Sequence, residues 1–317
     1  MRTKLAAAVA ASLAATALLL GAGPAGAVAN VAPPTCDRAC LEGMIDKYLA
    51  ALAAKDPARL PLTKDARFTE NGVTLKPGDG LWGTVDGIGD YRLSFVDPDT
   101  EQAGAFVTVK ESGRQVLLAL RLQIQSGSRI SQIETMVART PLRAGMPAPA
   151  MTPKPVFYAD VPPAERRSRG QMMAITNSYF DGLEHATGAL TPFDPHCQRI
   201  ENGMITSGDP AAPPGMTHMT CGEQFATGFS PFITQIRERR FPIMDQEKGL
   251  GFAQVFFDHA GVIKDVKMTD GTNLHVPAPF DAPFAFEIFE VFKIQNGKII
   301  RVEAVLNTVP YGMPSGW

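Results

Sequence analysis

The sequence carries almost no net charge: 30 lysines and arginines stand against 32 aspartates and glutamates, a net −2. Bulk electrostatics therefore draw it neither to nucleic acid nor to an acidic membrane. No cluster of basic residues interleaved with aromatics suggests a nucleic-acid groove. The runs Arg166, Arg167, Arg169 and Arg237, Arg239, Arg240 are short and read as solvated helix faces. Compact catalytic motifs are missing as well. No HExxH or similar metal spacing is present. Ser230 in GFSPF does not sit in the G-x-S-x-G elbow of a hydrolase. Gly78, Gly80 and Gly83 in PGDGLWGT lack both the Walker lysine and the dinucleotide-binding spacing, so that segment reads as a turn that drops Trp82 onto the core or a pocket rim.

Cysteine is scarce, with four residues: Cys36, Cys40, Cys197 and Cys221. Three pairings are open on paper; Cys36–Cys40 with Cys197–Cys221 closes the shortest loops. A zinc site is the weaker rival, since the spacing is not that of paired C-x-x-C motifs. Histidine is also scarce, and His185, His196, His218, His259 and His275 all fall in the second half. His259, followed by Ala260-Gly261, reads as a hairpin tip with a surface role.

What is present begins with a leader-like segment. Arg2 and Lys4 precede an uncharged Ala/Leu stretch from Leu5 to Leu20, followed by Ala25-Gly26-Ala27 and Ala27-Val28-Ala29, both small-x-small cleavage patterns. The apolar stretch is shorter than the roughly 20 residues of a membrane span, and no later segment reaches that length. We read residues 1–29 as a signal peptide, and the mature protein as periplasmic or secreted and outside the membrane. An oxidising compartment is where an even cysteine count forms disulfides.

The second feature is an internal repeat. YLAALAAKDPARLPLTKDARFTENG, from Tyr48 to Gly72, aligns without a gap on YFDGLEHATGALTPFDPHCQRIENG, from Tyr179 to Gly203. Tyr48/Tyr179, Leu52/Leu183, Glu70/Glu201, Asn71/Asn202 and Gly72/Gly203 are among the identities. IQSGSRISQIETMVART (Ile124 to Thr140) resembles IQNGKIIRVEAVLNTVP (Ile294 to Pro310), which places Glu134 on Glu303. Periodicity predicts helices over Leu41–Ala54, capped by Asp37, and Arg169–Glu184. Alternation predicts antiparallel strands over Ala103–Lys110, Leu117–Gln125, Ile130–Arg139, Gly251–Asp258, Phe284–Ile294 and Lys298–Thr308, with Asn296-Gly297 as a hairpin turn. The expected organisation is a first module (30–145), a proline-rich linker (146–164) and a second module (165–317), each of the α+β class. The second module carries longer insertions, near Ser207–Thr220 and Thr269–Pro283, where pocket lids commonly arise.

This order of elements, the duplication, and the closing segment FKIQNGKIIRVEAVLN (Phe292 to Asn307) resemble the NTF2-like, or SnoaL-like, superfamily. The resemblance implies two cone-shaped modules in tandem, each with helices packed on a curved antiparallel sheet around a pocket. In ketosteroid-isomerase-like members a tyrosine on the first helix supplies an oxyanion hydrogen bond, and a carboxylate at the end of the first strand is the general base. Tyr48 and Glu70 fall at those places in the first module, Tyr179 and Glu201 in the second. A second acid of that family sits on the strand before the last hairpin, where Glu290 falls; the first module has Leu120 there. The resemblance thus implies a catalytic set of Glu201, Tyr179 and Glu290, requiring no cofactor and no metal, in an isomerase or lyase acting on a small, partly apolar molecule.

Glu70, Tyr48, His218, Glu303 and Tyr311 are further binding candidates. His218 is expected to reach over a pocket mouth. The tail from Pro310 to Trp317 is expected to pack back across the second module, bringing Tyr311 near its pocket. Two other readings stand beside the enzyme: an exported ligand-binding or interaction protein without chemistry, and a hydrolase in which Glu201 or Glu303 activates water. The bland reading of each glutamate is a partner for the Asn-Gly turn beside it, and of each tyrosine a packed core residue.

Overall fold

Asp37 opens the first helix. Its carboxylate accepts from the Cys40 amide at 2.9 Å and caps α1 (Arg38–Ala53). Leu41, Met44, Ile45, Tyr48, Leu49 and Leu52 of α1 are buried, one stripe at helical spacing. In this computed structural model residues 36–125, 127–139 and 151–317 are described. The leader-like segment 1–29 and Pro147 and Pro149 of the linker lie outside them.

The first module continues with β1 (Leu62–Glu70), β2 (Val73–Leu75), a helical turn α2 (Leu81–Thr84), and strands β3 (Val85–Asp97), β4 (Gln102–Glu111), β5 (Arg114–Gln125) and β6 (Arg129–Ala138). A short helix α3 (Pro155–Tyr158) lies between the modules. The second module repeats the plan: α4 (Arg169–Glu184), β7 (Phe193–Glu201), β8 (Met204–Ser207), α5 (Cys221–Ala226), β9 (Gln235–Asp245), β10 (Leu250–His259), the small ribbon β11 (Asp265–Lys267) and β12 (Asn273–His275), then β13 (Phe284–Gln295) and β14 (Lys298–Val309).

Both main sheets have six strands in the same order, β2-β1-β6-β5-β4-β3 and β8-β7-β14-β13-β10-β9. The chain is therefore two modules of one α+β fold, arranged as the resemblance implies. One detail differs from an antiparallel sheet: β1 pairs with β6, and β7 with β14, in parallel. β3 and β9 do not show in the alternation of the sequence, because bulges and a positive φ at Glu238 break their register.

The Asn-Gly turns recur in detail. Asn71 and Gly72, like Asn202 and Gly203, take positive φ and join β1 to β2 and β7 to β8. The Asn71 side chain donates to the Val137 carbonyl and accepts from the Val137 amide. Asn202 does the same with Leu306.

Each sheet is buried on both faces. Leu118, Leu120 and Leu122 face the core under α1, while Leu117 and Ala119 face a seam shared with the other module. Phe95 and Phe106 meet Phe252 and Phe289 there. Reciprocal ion pairs close the seam. Arg38 binds Asp245 at 2.5 Å and Arg169 binds Asp97 at 2.9 Å, both carboxylates being wholly buried. Asp245 also accepts from the Val96 amide, and Asp97 from the Met244 amide.

Three sequence expectations need correction. The tail does pack on the second module, where the Met313 carbonyl accepts from Arg237 and the Ser315 amide donates to Glu238, but it then runs on to the first sheet and not across the second module's interior. Trp317 donates to Thr69 at 2.9 Å and its ring stacks under Arg67, 4.4 Å away, on the first sheet. Arg237, Arg239 and Arg240 lie on a strand and each meets a carboxylate: Asp258, Asp181 and Glu134. His259 is not a surface residue. It is 1% exposed and stacks on Phe284 at 4.4 Å, beside Phe280 from the second insertion. Burial there lowers its pKa to about 4.

Candidate functional site

The helices and first strands bring the repeated pairs to equivalent places. Tyr48 and Tyr179 hold the same position in two helices of 16 residues, and Glu70 and Glu201 end two strands of 9. From there the modules diverge.

In the first module Glu70 serves structure. One oxygen accepts from the Leu81 amide at 2.8 Å, at the start of α2, and the other from Arg139 at 2.9 Å. Tyr48 is buried edge-on against Trp82, with ring centroids 5.4 Å apart. Burial, and secondarily the charge of Glu70, raise its hydroxyl above the usual range. The remaining interior positions on this row are apolar: Phe68 on β1 and Leu120 on β5.

In the second module those two apolar places hold Arg199 and Glu290. Glu290 pairs across β13–β14 with Ala304, which pairs with Glu201, so the three side chains share one face. Arg199 stands two residues before Glu201 and projects from the same face. Its Nε lies 3.0 Å from Glu201 Oε1. Its Nη1 donates to the Tyr179 hydroxyl at 3.2 Å and its Nη2 to Gln224 of α5 at 2.6 Å. Gln224 is fixed in turn by donating to the carbonyls of Thr206 and of Met216 in the first insertion. Phe225 and Phe292 flank the Tyr179 ring at 5.1 and 5.0 Å.

The electrostatics follow from this burial. Desolvation pushes the Glu290 carboxyl up to about 8, and the charge of Glu201 adds to it; Arg199 and the Tyr179 hydroxyl act the other way. Glu290 is 2% exposed and its Oε2 has no hydrogen-bond partner. At neutral pH it is a protonated acid able to donate. Burial raises the Tyr179 hydroxyl well above its usual range, so it too keeps its proton. Arg199 donates to the Tyr179 oxygen, and the Tyr179 hydroxyl in turn bonds the Glu290 carboxyl, so the three groups form one chain. Glu201 is the member solvent reaches, with 23% of its side chain exposed. The cluster thus combines two neutral donors, a cation and one accessible carboxylate within an aromatic shell.

Sequence reading missed Arg199 and Gln224. The signal for Arg199 is in the repeat alignment, which sets Phe68 against it; nothing comparable marks Gln224. Other candidates lie elsewhere. His218 is exposed and bonds the Ala212 carbonyl at 3.1 Å. Tyr311 is 50% exposed. Glu303 is on the opposite face of its sheet, where the Tyr91 hydroxyl of the first module donates to it. The cysteines form Cys36–Cys40 and Cys197–Cys221 disulfides, as fits an oxidising compartment. Among the described residues, no group of three His, Cys, Asp or Glu has metal-binding proximity, and no helix is long and apolar enough to cross a membrane.

A family model described as a domain of unknown function, DUF8021, matches residues 35–137 and 165–306. No curated protein matches the chain. Among solved structures, a steroid delta-isomerase from Pseudomonas aeruginosa is 16% identical, with a TM-score of 0.26, over 33% of this chain and 82% of its own. A protein of unknown function with a cystatin-like fold from Methylobium petroleophilum is 19% identical, with a TM-score of 0.29, over 36% of this chain and 84% of its own. A hypothetical protein with a ketosteroid isomerase-like fold from Catenulispora acidiphila, in complex with trimethylamine, is 12% identical, with a TM-score of 0.23, over 29% of this chain and 82% of its own.

Proposed function

The chain belongs to the DUF8021 family, and we propose that its second module is the working half, a cofactor-independent proton-transfer site of isomerase or lyase type. The substrate class is a small, partly apolar carbonyl compound. One observation carries this reading: two interior positions that are apolar in the first module, Phe68 and Leu120, are Arg199 and Glu290 in the second. The fold holds without buried polar groups at those places, and burying them costs free energy. Perturbed, incompletely satisfied acids gather where chemistry needs them.

In this reading Glu201 takes a proton beside the carbonyl. The Tyr179 hydroxyl and the protonated Glu290 donate to the developing oxyanion, and Arg199 stabilises its charge. Neutral donors suit the task, since they need not first be stripped of a competing negative charge. Glu303, facing away from this cluster, takes no part. We read the protein as exported, periplasmic or secreted, on its leader-like segment and two disulfides.

The test is binding of phenols of graded acidity, whose phenolates imitate an enolate oxygen. Affinity should rise with the acidity of the phenol and fall at least about tenfold in Tyr179→Phe, the cost of losing one charge-assisted hydrogen bond. Affinity that ignores Tyr179→Phe would remove the proposed oxyanion site. A second reading, ligand binding without chemistry, is favoured by how fully Arg199 is engaged by Tyr179, Gln224 and Glu201. It predicts phenol binding with no proton exchange.

A further inference from the structure

We propose that a hollow between the inter-module linker and the seam-side face of the second sheet binds a small zwitterion with an apolar body, of the size and charge pattern of an apolar amino acid. The hollow has a volume of about 220 Å³ and is walled by Met151 and Lys154 on the linker side and by Ile200, Ile205 and Glu303 on the sheet. It is separate from the cluster around Tyr179, because Glu303 and Ala304 are adjacent on one strand and project from opposite faces.

The argument starts from the repeat. Glu303 pairs with Ile200, as Glu134 pairs with Thr69 in the first module, so the two glutamates are counterparts. Glu134 is neutralised by two guanidinium groups, Arg121 at 2.8 Å and Arg240 at 2.5 Å. Glu303 has no such ion pair among the described residues. It is 1% exposed, and the Tyr91 hydroxyl donates to one of its oxygens. A buried carboxylate without a cation is unfavourable, and burial accordingly pushes this one up to about 7. The Lys154 ammonium acts on it across the hollow and pulls the other way.

Charge complementarity then selects the ligand. A purely apolar occupant leaves Glu303 with no direct ion pair, only the Lys154 ammonium across the hollow. A simple amine meets Glu303 but also faces the Lys154 ammonium. A simple carboxylate meets Lys154 but faces Glu303. A molecule bearing both groups satisfies both, with its apolar part against Met151, Ile200 and Ile205. The volume lies below the roughly 300–1,000 Å³ of drug-sized sites, which limits the ligand to about one amino acid.

Calorimetric titration of the full chain with L-leucine, L-methionine, leucinamide and 4-methylpentanoate tests this. The amino acids should bind, and each half-ligand should bind at least about tenfold more weakly. Glu303→Gln still accepts from Tyr91 but cannot pair with an ammonium, and should lose at least tenfold in affinity. Ile205→Trp, on the edge strand, should fill the hollow and abolish binding. No heat from any amino acid at millimolar concentration, or unchanged affinity in either variant, would overturn the proposal.

Discussion

Leu120 and Glu290 occupy one position in two copies of the same sheet. Leu120 pairs with Thr135, which pairs with Glu70; Glu290 pairs with Ala304, which pairs with Glu201. A shared scaffold holds a leucine in one interior and, in the other, a buried acid with one oxygen left without a hydrogen-bond partner. That contrast, with Phe68 against Arg199, is the one on which the proposed proton-transfer site rests.

The Glu290 carboxyl gives the account a pH signature. Its folded value of about 8 lies above the usual 4.5. Between those values the folded state holds a proton that the unfolded chain has released. Its contribution to stability is fully present below about pH 4.5 and is lost as pH rises towards 8, by up to about 1.4 kcal/mol per pH unit. Glu287 and Glu303 act in the same direction, and His259 in the opposite one between about 4 and 6.5. Glu290→Gln isolates one group. In urea unfolding at several pH values, the variant should gain on the wild type from pH 5 to 8 and run parallel above. A pH-independent difference would mean that Glu290 titrates normally.

The seam should depend on its two buried carboxylates. Asp245→Ala strips the Val96 amide of its side-chain acceptor and Arg38 of its buried partner, leaving it Glu42 and Glu247; Asp97→Ala does the same to the Met244 amide and to Arg169, which keeps the Phe241 carbonyl. Each should cost about 1–3 kcal/mol, the range for leaving a buried hydrogen-bonding group unsatisfied, since both arginines reach solvent and keep other partners. Chemical denaturation measures this. A loss below about 1 kcal/mol would show that the ion pairs decorate an interface held by Phe95, Phe106, Phe252 and Phe289 alone.

The two disulfides should differ in worth. Cys197–Cys221 spans 24 residues and Cys36–Cys40 spans 4. Loop-closure entropy assigns roughly 3.5 kcal/mol to the first and about 2 to the second. Cys221 also begins α5, which carries Gln224 and Phe225 to Arg199 and Tyr179. Replacing Cys197 and Cys221 by alanine should therefore weaken phenol binding as well as stability, whereas replacing Cys36 and Cys40 should affect stability alone. Thermal melts and fluorescence titration of both double variants separate the cases.

The repeat was legible because helices and turns write themselves locally. Asp37, the spacing of Leu41, Ile45 and Leu49, and the two Asn-Gly turns each act within a few residues. β3 and β9 were hidden, since Gly87, Gly89 and Pro242 read as turn or break signals, and cross-module pairs satisfy charges that look solvated in sequence. Arg240 reads as surface until Glu134 of the other module is placed beside it. Tyr179, Glu201 and Glu290 were within reach through the resemblance. Gln224 was not, because it comes from a segment the first module does not share.

The most direct measurement is hydrogen–deuterium exchange beside a carbonyl, followed by proton NMR in deuterated water across a panel of small cyclic and acyclic ketones. Exchange reports proton abstraction whatever the final product. The wild type should accelerate exchange in some members. Glu201→Gln, which keeps the shape and loses the base, should slow it roughly a hundredfold or more. Glu70→Gln should leave exchange unchanged while losing about 1–3 kcal/mol of stability through its weakened bonds to Leu81 and Arg139. Exchange that survives Glu201→Gln, or that disappears in folded Glu70→Gln, would contradict the assignment of chemistry to the second module.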